Sequence, residues 1–410
     1  MNAEKTLRAV SAARLQYWLE TLATFGPGTH GGMNRQALSE EELQARAWLI
    51  DEAKKLGCTV WTDGCANLFI RRNGREDLPP VMTGSHIDTQ PTGGTLDGCY
   101  GVMAGLEVLH ALTEANVQTL RPIEVVVWTN EEGSRFSPGA MGSSAYVDPS
   151  RLTEYRTHQD AAGITVGAAL DAHAQRFPEL PHRDKIATHA FVELHIEQGP
   201  VLEQADIPLG VVSGIQGVRW YQVRCTGASA HAGTTPTPMR RDALLMATNT
   251  LGPIDALADR LAGDDKRLTF GRWNVHPNAI NTIAGEVTFS IDFRHADPAV
   301  LDAFDAGLSA CLPVDAELTR LFTHAPTVFD RQVLDVLEQG CNATGLPWQP
   351  IRSGAFHDAM YLAEHCPSAM LFVPSRDGIS HNPLEFTEPA QLEAGVRALA
   401  WSLVALAEQP

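Results

Sequence analysis

Ile123-Glu-Val-Val-Val-Trp-Thr-Asn-Glu-Glu-Gly133 decides the reading of this chain. Its first half is apolar and rich in β-branched residues, which predicts a buried strand over 123–129. Its second half sets Glu131 and Glu132 side by side where that strand ends. Like charges repel and burial penalises both, so such a pair standing alone is ordinarily solvated surface. At the end of a buried strand it has a chemical use. One carboxylate holds a cation, and the other takes a proton from a water acidified by that cation, as a dinuclear metal hydrolase requires.

Further strand-like runs at 58–62, 67–72, 80–84 and 191–196 alternate with helical patterns, among them 101–113. This indicates an α/β catalytic domain with a central mixed or parallel sheet flanked by helices. Leu15, Trp18, Leu22 and Phe25 recur at helical spacing. Ser39 and Glu42 form a capping-box signature for a helix that Gly57 closes. The texture changes near 210. Short strands (211–215, 219–225, 287–293) and two helices (about 241–261 and 298–311) predict an inserted α+β domain. From about 326 the first pattern returns, with a strand at 369–373 and a closing helix from about 389. The expected plan is a catalytic domain in two parts, 1–210 and 326–410, split by an insertion at 211–325.

The bulk properties fit this plan. A chain of 410 residues with 44% hydrophobic content is too long for one comfortable core. A formal charge of -18 argues against nucleic acid and anionic membrane surfaces as partners. No run reaches the length of a membrane span, and the N-terminus lacks the basic-then-apolar order of a signal peptide. Seven cysteines without CxxC spacing argue against a disulfide framework and a thiolate zinc site. A reducing cytoplasm is the expected location.

The Glu pair has company. His86-Ile-Asp88 follows the strand Val81-Met-Thr83. If the chain stays extended, Asp88 accepts the second ring N–H of His86 and sets its tautomer for metal binding. Asp97 sits in Thr-Leu-Asp-Gly after a Gly-Gly pair, where a carboxylate can bridge two cations. His195 and His381 end later segments. With Asp97 shared, His86, Asp97, Glu132, His195 and His381 give two three-ligand sets, each with room for water. Nitrogen and oxygen donors without thiolate suit zinc, with manganese, cobalt and nickel as alternatives.

Taken together, these stretches resemble the zinc-dependent amidohydrolases of the hydantoinase/carbamoylase group, within the aminoacylase and carboxypeptidase superfamily. The group holds N-carbamoyl-L-amino-acid hydrolases, β-ureidopropionases and allantoate amidohydrolases. The resemblance is carried by Gly84-Ser-His-Ile-Asp-Thr89, Gly93-Gly-Thr-Leu-Asp-Gly98, Asn130-Glu-Glu-Gly-Ser-Arg-Phe136, Glu193-Leu-His-Ile-Glu-Gln-Gly199, Ala230-His-Ala-Gly-Thr-Thr-Pro236 and Gly378-Ile-Ser-His-Asn-Pro383, in family order. It implies that His86, Asp97 and His195 hold one metal and Asp97, Glu132 and His381 the other. It makes Glu131 the general base, Asp88 the support of His86, and His231 the donor to a developing oxyanion. Gln198, Asn281 and Arg294 become substrate-binding residues, with Arg294 paired to a substrate carboxylate. It implies a cis Asp97–Gly98 peptide, and a homodimer built through the inserted domain, which also acts as a lid. The oxyanion histidine and the asparagine would then reach each site from the second subunit.

The expected reaction is hydrolysis of the ureido C–N bond of an N-carbamoyl amino acid, giving amino acid, ammonia and carbon dioxide. Allantoate is an alternative substrate, and aminoacylase or dipeptidase activity an alternative on the same scaffold. A non-catalytic small-molecule binding protein would have lost the base or a ligand, and all are present here. One departure stands out. Ser353-Gly-Ala-Phe-His-Asp-Ala359 has Phe356 where relatives commonly have glycine, which bears on the shape of the substrate pocket.

Overall fold

The strand beginning at Ile123 runs Ile123–Trp128, and all six residues are buried. Leu68–Arg72 pairs with it antiparallel on one side and Val81–His86 parallel on the other. Val81–His86 in turn pairs parallel with Ala190–Ile196, and Ala190–Ile196 parallel with Ser368–Val373. Thr59–Thr62 lies beyond Leu68–Arg72. Leu209–Ile215, Thr327–Val328 and Trp348–Ser353 complete a nine-stranded mixed sheet at the other edge. The computed structural model that gives this architecture describes residues 2–410.

Four neighbouring parallel strands form the sheet's centre, and their carboxyl ends lie on one side. Ligands of open α/β sheets bind at that side. The four middle strands are buried along their full length because helices cover them. Cys99–Glu114 packs on Val81–His86 and is buried over nearly all its turns. Pro389–Ala407 packs on Cys99–Glu114 and on the central strands Val81–His86, Ala190–Ile196 and Ser368–Val373.

The chain divides into two compact units. One runs to Gly214 and resumes at Val328; the other is Ile215–Thr327. The boundary expected at 210 falls inside Leu209–Ile215, whose pairing with Ser368–Val373 keeps it in the larger unit.

The smaller unit is built on an antiparallel sheet in the order Trp273–His276, Glu286–His295, Gly217–Thr226, Glu317–His324, with Arg267–Thr269 also paired to Glu286–His295. Over residues 286–294 the strand Glu286–His295 alternates between half-buried and buried residues, the mark of a sheet covered on one face. Val287, Phe289, Ile291 and Phe293 meet Ile254 and Leu257 of the helix Ala243–Ala262, and Leu301 and Phe304 of the helix Pro298–Leu308. Asp242 and Asp297 cap these helices through their side chains.

Local details differ from expectation for identifiable reasons. The N-terminal helix Ala12–Leu22 stops short of Phe25, because the buried Arg35 guanidinium takes the carbonyls of Leu22 and Phe25. Ser39 caps Glu40–Lys55, but the Glu42 carboxylate turns to the Leu38 amide and to Arg46, so the capping box is one-sided. All seven cysteines are free. Among the described residues, no helix is long and apolar enough to cross a membrane.

Candidate metal centre

Each central parallel strand delivers chemistry at its carboxyl end. His86 is the last residue of Val81–His86, Glu131 and Glu132 follow Ile123–Trp128, and His195 is the penultimate residue of Ala190–Ile196. His381 lies in the loop after Ser368–Val373. Asp97 reaches them from the turn before the helix Cys99–Glu114.

Asp97 is the junction. Its Oδ1 lies 3.2 Å from His195 Nε2 and 3.7 Å from His86 Nε2. Its Oδ2 lies 3.1 Å from His381 Nε2, which is 3.3 Å from Glu132 Oε2. Two groups of donor atoms result, His86–Asp97–His195 and Asp97–Glu132–His381, each spanning less than 4.8 Å. Glu131 Oε2 stands 3.5 Å from His86 Nε2, beside the first group. A third group, Glu193–His195–His357, shares His195 and is wholly buried.

The imidazoles are oriented for ligation. His86 Nδ1 donates to the Asp88 carbonyl at 2.8 Å, and His195 Nδ1 to the Ile196 carbonyl at 2.9 Å. A carbonyl can only accept, so each Nδ1 carries a proton and each Nε2 is the atom turned to Asp97, available to a cation once it is deprotonated. Asp88 thus meets His86 as expected, but through its backbone carbonyl. The strand ends at His86, and the Asp88 carboxylate, 3.8 Å from the ring, accepts the amides of Glu131 and Glu132 at 3.2 Å each. It therefore orients the Glu pair. Gln90 holds Glu132 through its own amide at 3.1 Å and its side chain at 2.8 Å.

The expected cis Asp97–Gly98 bond is corrected. The cis bonds are Ser137–Pro138 and His276–Pro277. The chain reverses at Gly98 through φ 63° and ψ -46°, closed by the Cys99 amide on the Asp97 carbonyl, which is a γ-turn. A Cβ at 98 would stand 2.3 Å from His86 Nε2, so only glycine fits.

The electrostatics are those of buried carboxylates whose ion-pair partners are histidines. Burial raises the proton affinity of Glu131, with Asp358 and Glu132 adding repulsion. Burial likewise raises Glu132, and pushes Asp88 up to about 7. Burial works against the charge on Asp97 too, yet hydrogen bonds from His195 and His381 hold it well below the carboxylate range. Burial lowers His86 to about 4, while Asp97 overrides burial at His195 and lifts it to about 9. Among the described residues, every ion pair made by Asp88, Asp97, Glu131 and Glu132 is to a histidine. A divalent cation held by these donors would satisfy the carboxylates, and its uptake would release the protons they otherwise retain. The donors are imidazole and carboxylate; the nearby Cys99 Sγ is turned toward Arg35 and the Ile87 carbonyl. The residues present thus fit a hard or borderline divalent ion.

The remaining candidates divide between the two units. Gln198 donates its side-chain amide to Asp97 Oδ2 at 2.9 Å and to Ser380 Oγ at 3.0 Å, so it lies against the bridging carboxylate. His231 and Asn281 lie together in the smaller unit, where a two-stranded ladder pairs Ala230–His231 with Thr282–Ile283 and the Ala232 amide meets the Asn281 carbonyl at 3.0 Å. His231 Nδ1 accepts the amides of Gly233 and Thr234 at 3.1 and 3.2 Å, which leaves the proton on Nε2 as a donor. Arg294, on Glu286–His295, pairs with Asp292 through Nε and Nη2. Several groups at the site were not singled out from sequence. Glu193 was legible, since it shares a strand face with His195, two residues on. His357 follows the unusual Phe356, and its ring lies 4.6 Å from that of His195. Glu385 carried no local signal.

Known proteins are consistent with this geometry. Residues 82–404 match the model of Peptidase family M20/M25/M40. The chain is 35% identical over 413 residues to an N-carbamoyl-L-amino acid amidohydrolase of Geobacillus stearothermophilus, covering 97% of this chain and 99% of that protein. It is 36% identical over 399 residues to an allantoate amidohydrolase of Escherichia coli K12, covering 95% and 97%. A solved amidase of the hydantoinase/carbamoylase family from Burkholderia multivorans superposes with a TM-score of 0.88 at 41% identity, covering 98% of this chain and 99% of that one. The chain therefore belongs to Peptidase family M20/M25/M40, as a hydrolase of its hydantoinase/carbamoylase group.

Proposed function

We propose that this chain hydrolyses the carbamoyl C–N bond of an N-carbamoyl amino acid, using two divalent ions, zinc by donor chemistry, one in each group that shares Asp97. The observation that carries the reading is the pair of oxygens of Asp97, each facing a different histidine set, with the Glu131 carboxylate beside one of them. Such ions polarise the scissile carbonyl and acidify water. Glu131 takes a proton from the attacking water, whose oxygen bonds to the ureido carbon. The same carboxyl returns the proton to the leaving nitrogen. The C–N bond then breaks, releasing amino acid and a carbamate that falls apart to ammonia and carbon dioxide. His231 Nε2–H is assigned the developing oxyanion. Arg294 is assigned the substrate carboxylate, with Gln198 and Asn281 as polar contacts. A homodimer formed through Ile215–Thr327, and a cytoplasmic location, belong to the same proposal.

Allantoate is the second reading, since the Escherichia coli relative named for it is as similar as the carbamoyl-amino-acid relative. Ammonia release from N-carbamoyl-L-amino acids, N-carbamoyl-β-alanine and allantoate decides between them. The proposal expects a carbamoyl-L-amino acid to be turned over with the highest kcat/KM. Preference for allantoate transfers the assignment to the second reading. No ammonia from any of them, with two zinc ions bound, contradicts both.

A further inference from the structure

The three proposed histidine ligands are not held alike. His86 and His195 sit on buried strands with 2% and 1% of their side chains exposed. His381 sits in a loop, at φ 54°, with half its side chain exposed. A tie between that loop and the rest of the site must keep it facing Asp97 and Glu132.

Glu385, four residues on, makes the connection. It is 6% exposed. Its Oε1 accepts the amides of Leu96 at 2.9 Å and Asp97 at 3.0 Å. Its Oε2 lies 2.9 Å from Ser380 Oγ, which also lies 3.1 Å from Asp97 Oδ2. The loop is closed on itself by the Glu385 amide on the Asn382 carbonyl, and by the Leu384 amide on the Asn382 side chain. One carboxylate thus ties the backbone of the bridging aspartate to the neighbour of the loop histidine. The approach is close enough to require glycine opposite. A Cβ at Gly94 would meet the Glu385 carboxylate at 2.1 Å.

We infer that Glu385 is a positioning residue that sets the second metal position, Asp97–Glu132–His381, and leaves the first, His86–Asp97–His195, largely to the strands. This rests on the two-ion reading above. Carboxylates and hydrogen bonds that orient ligands commonly contribute about 10–100-fold to metal affinity. The contribution here falls on one of two ions.

The test is zinc titration of the chelator-stripped full chain, resolving the two equivalents by competition with an indicator, alongside the melting temperature of the apo protein. Glu385→Ala is expected to bind the first equivalent as the wild type does and the second at least about tenfold more weakly. Glu385→Gln keeps an oxygen for the two amides and an NH2 for Ser380, so it is expected to restore most of the affinity. Ser380→Ala removes the hydroxyl that Glu385, Asp97 and Gln198 share, leaves the bonds of Glu385 to the Leu96 and Asp97 amides in place, and serves if Glu385→Ala does not fold; it is expected to weaken the second equivalent alone. Two wild-type affinities in Glu385→Ala overturn the inference. So does equal weakening of both ions with a lowered apo melting temperature, the mark of a merely structural role. A wild-type protein that takes up a single zinc overturns the two-ion reading itself, and the selective role of Glu385 with it.

Discussion

At the residue scale, the pair Asp97–Gly98 carries the densest set of constraints in the larger unit. Asp97 must present one oxygen to each donor group, and Gly98 must turn the chain within van der Waals distance of the His86 ring. Gly98→Ala adds a Cβ at a positive φ and forces either His86 or the turn to move. Zinc affinity of the His86 set is expected to fall at least about tenfold, measured by indicator competition; an unchanged affinity would show that the turn has slack. His86, Asp97, Glu132 and His195 were legible in the sequence because each ends a strand or occupies a glycine-rich turn, positions where side chains are aimed rather than packed. The partner of His86 was legible as Asp88, but the atom that accepts was not. Whether Asp88 offers its carboxylate or its carbonyl depends on where the strand stops. Glu385 was invisible because its bonds go to amides and a hydroxyl supplied by separate segments, one of them on the opposite side of the chain's folding order.

At the scale of elements, the central strands and the helices Cys99–Glu114 and Pro389–Ala407 were readable from apolar runs, since a parallel sheet covered on both faces leaves no alternation to misread. Shorter elements were missed. The helix Val166–Arg176 has a weak apolar stripe and a histidine in its last turn. That histidine, His173, is 2% exposed, and its Nε2 has no hydrogen-bond partner. Burial, and then Arg46, lowers it to about 3. A depressed folded pKa means that the unfolded chain binds the proton first. Stability is therefore fully present above about 6.5 and is lost as pH falls from there toward 3. By pH 5 the loss from this one group is about 2 kcal/mol. Chemical denaturation at pH 7 and pH 5 is expected to show a smaller drop for His173→Leu than for the wild type. Equal drops would mean that His173 is protonated in the folded protein.

At the scale of the molecule, two cores explain why the chain reads as an interrupted pattern. The larger unit spends its buried surface on a sheet that aims four strand ends at one place, and the smaller unit is an independent antiparallel sheet covered by two helices. The interruption was read from a change of texture near 210 to short strands and two helices. Its edges were not, since Leu209–Ile215 begins as a strand of the large sheet and ends at the boundary between the units. The net charge of -18 is compatible with an anionic substrate, because the field at the site is set by the groups nearest it.

The central claim is that Glu131 transfers the proton at a metal centre built around Asp97. The most direct test is the rate of ammonia release by Glu131→Gln, with zinc content measured on the same samples. The account predicts two zinc ions retained, a KM close to that of the wild type, and kcat lower by about 10²–10⁴-fold. A variant that keeps both ions and turns over within a few-fold of the wild type would contradict it.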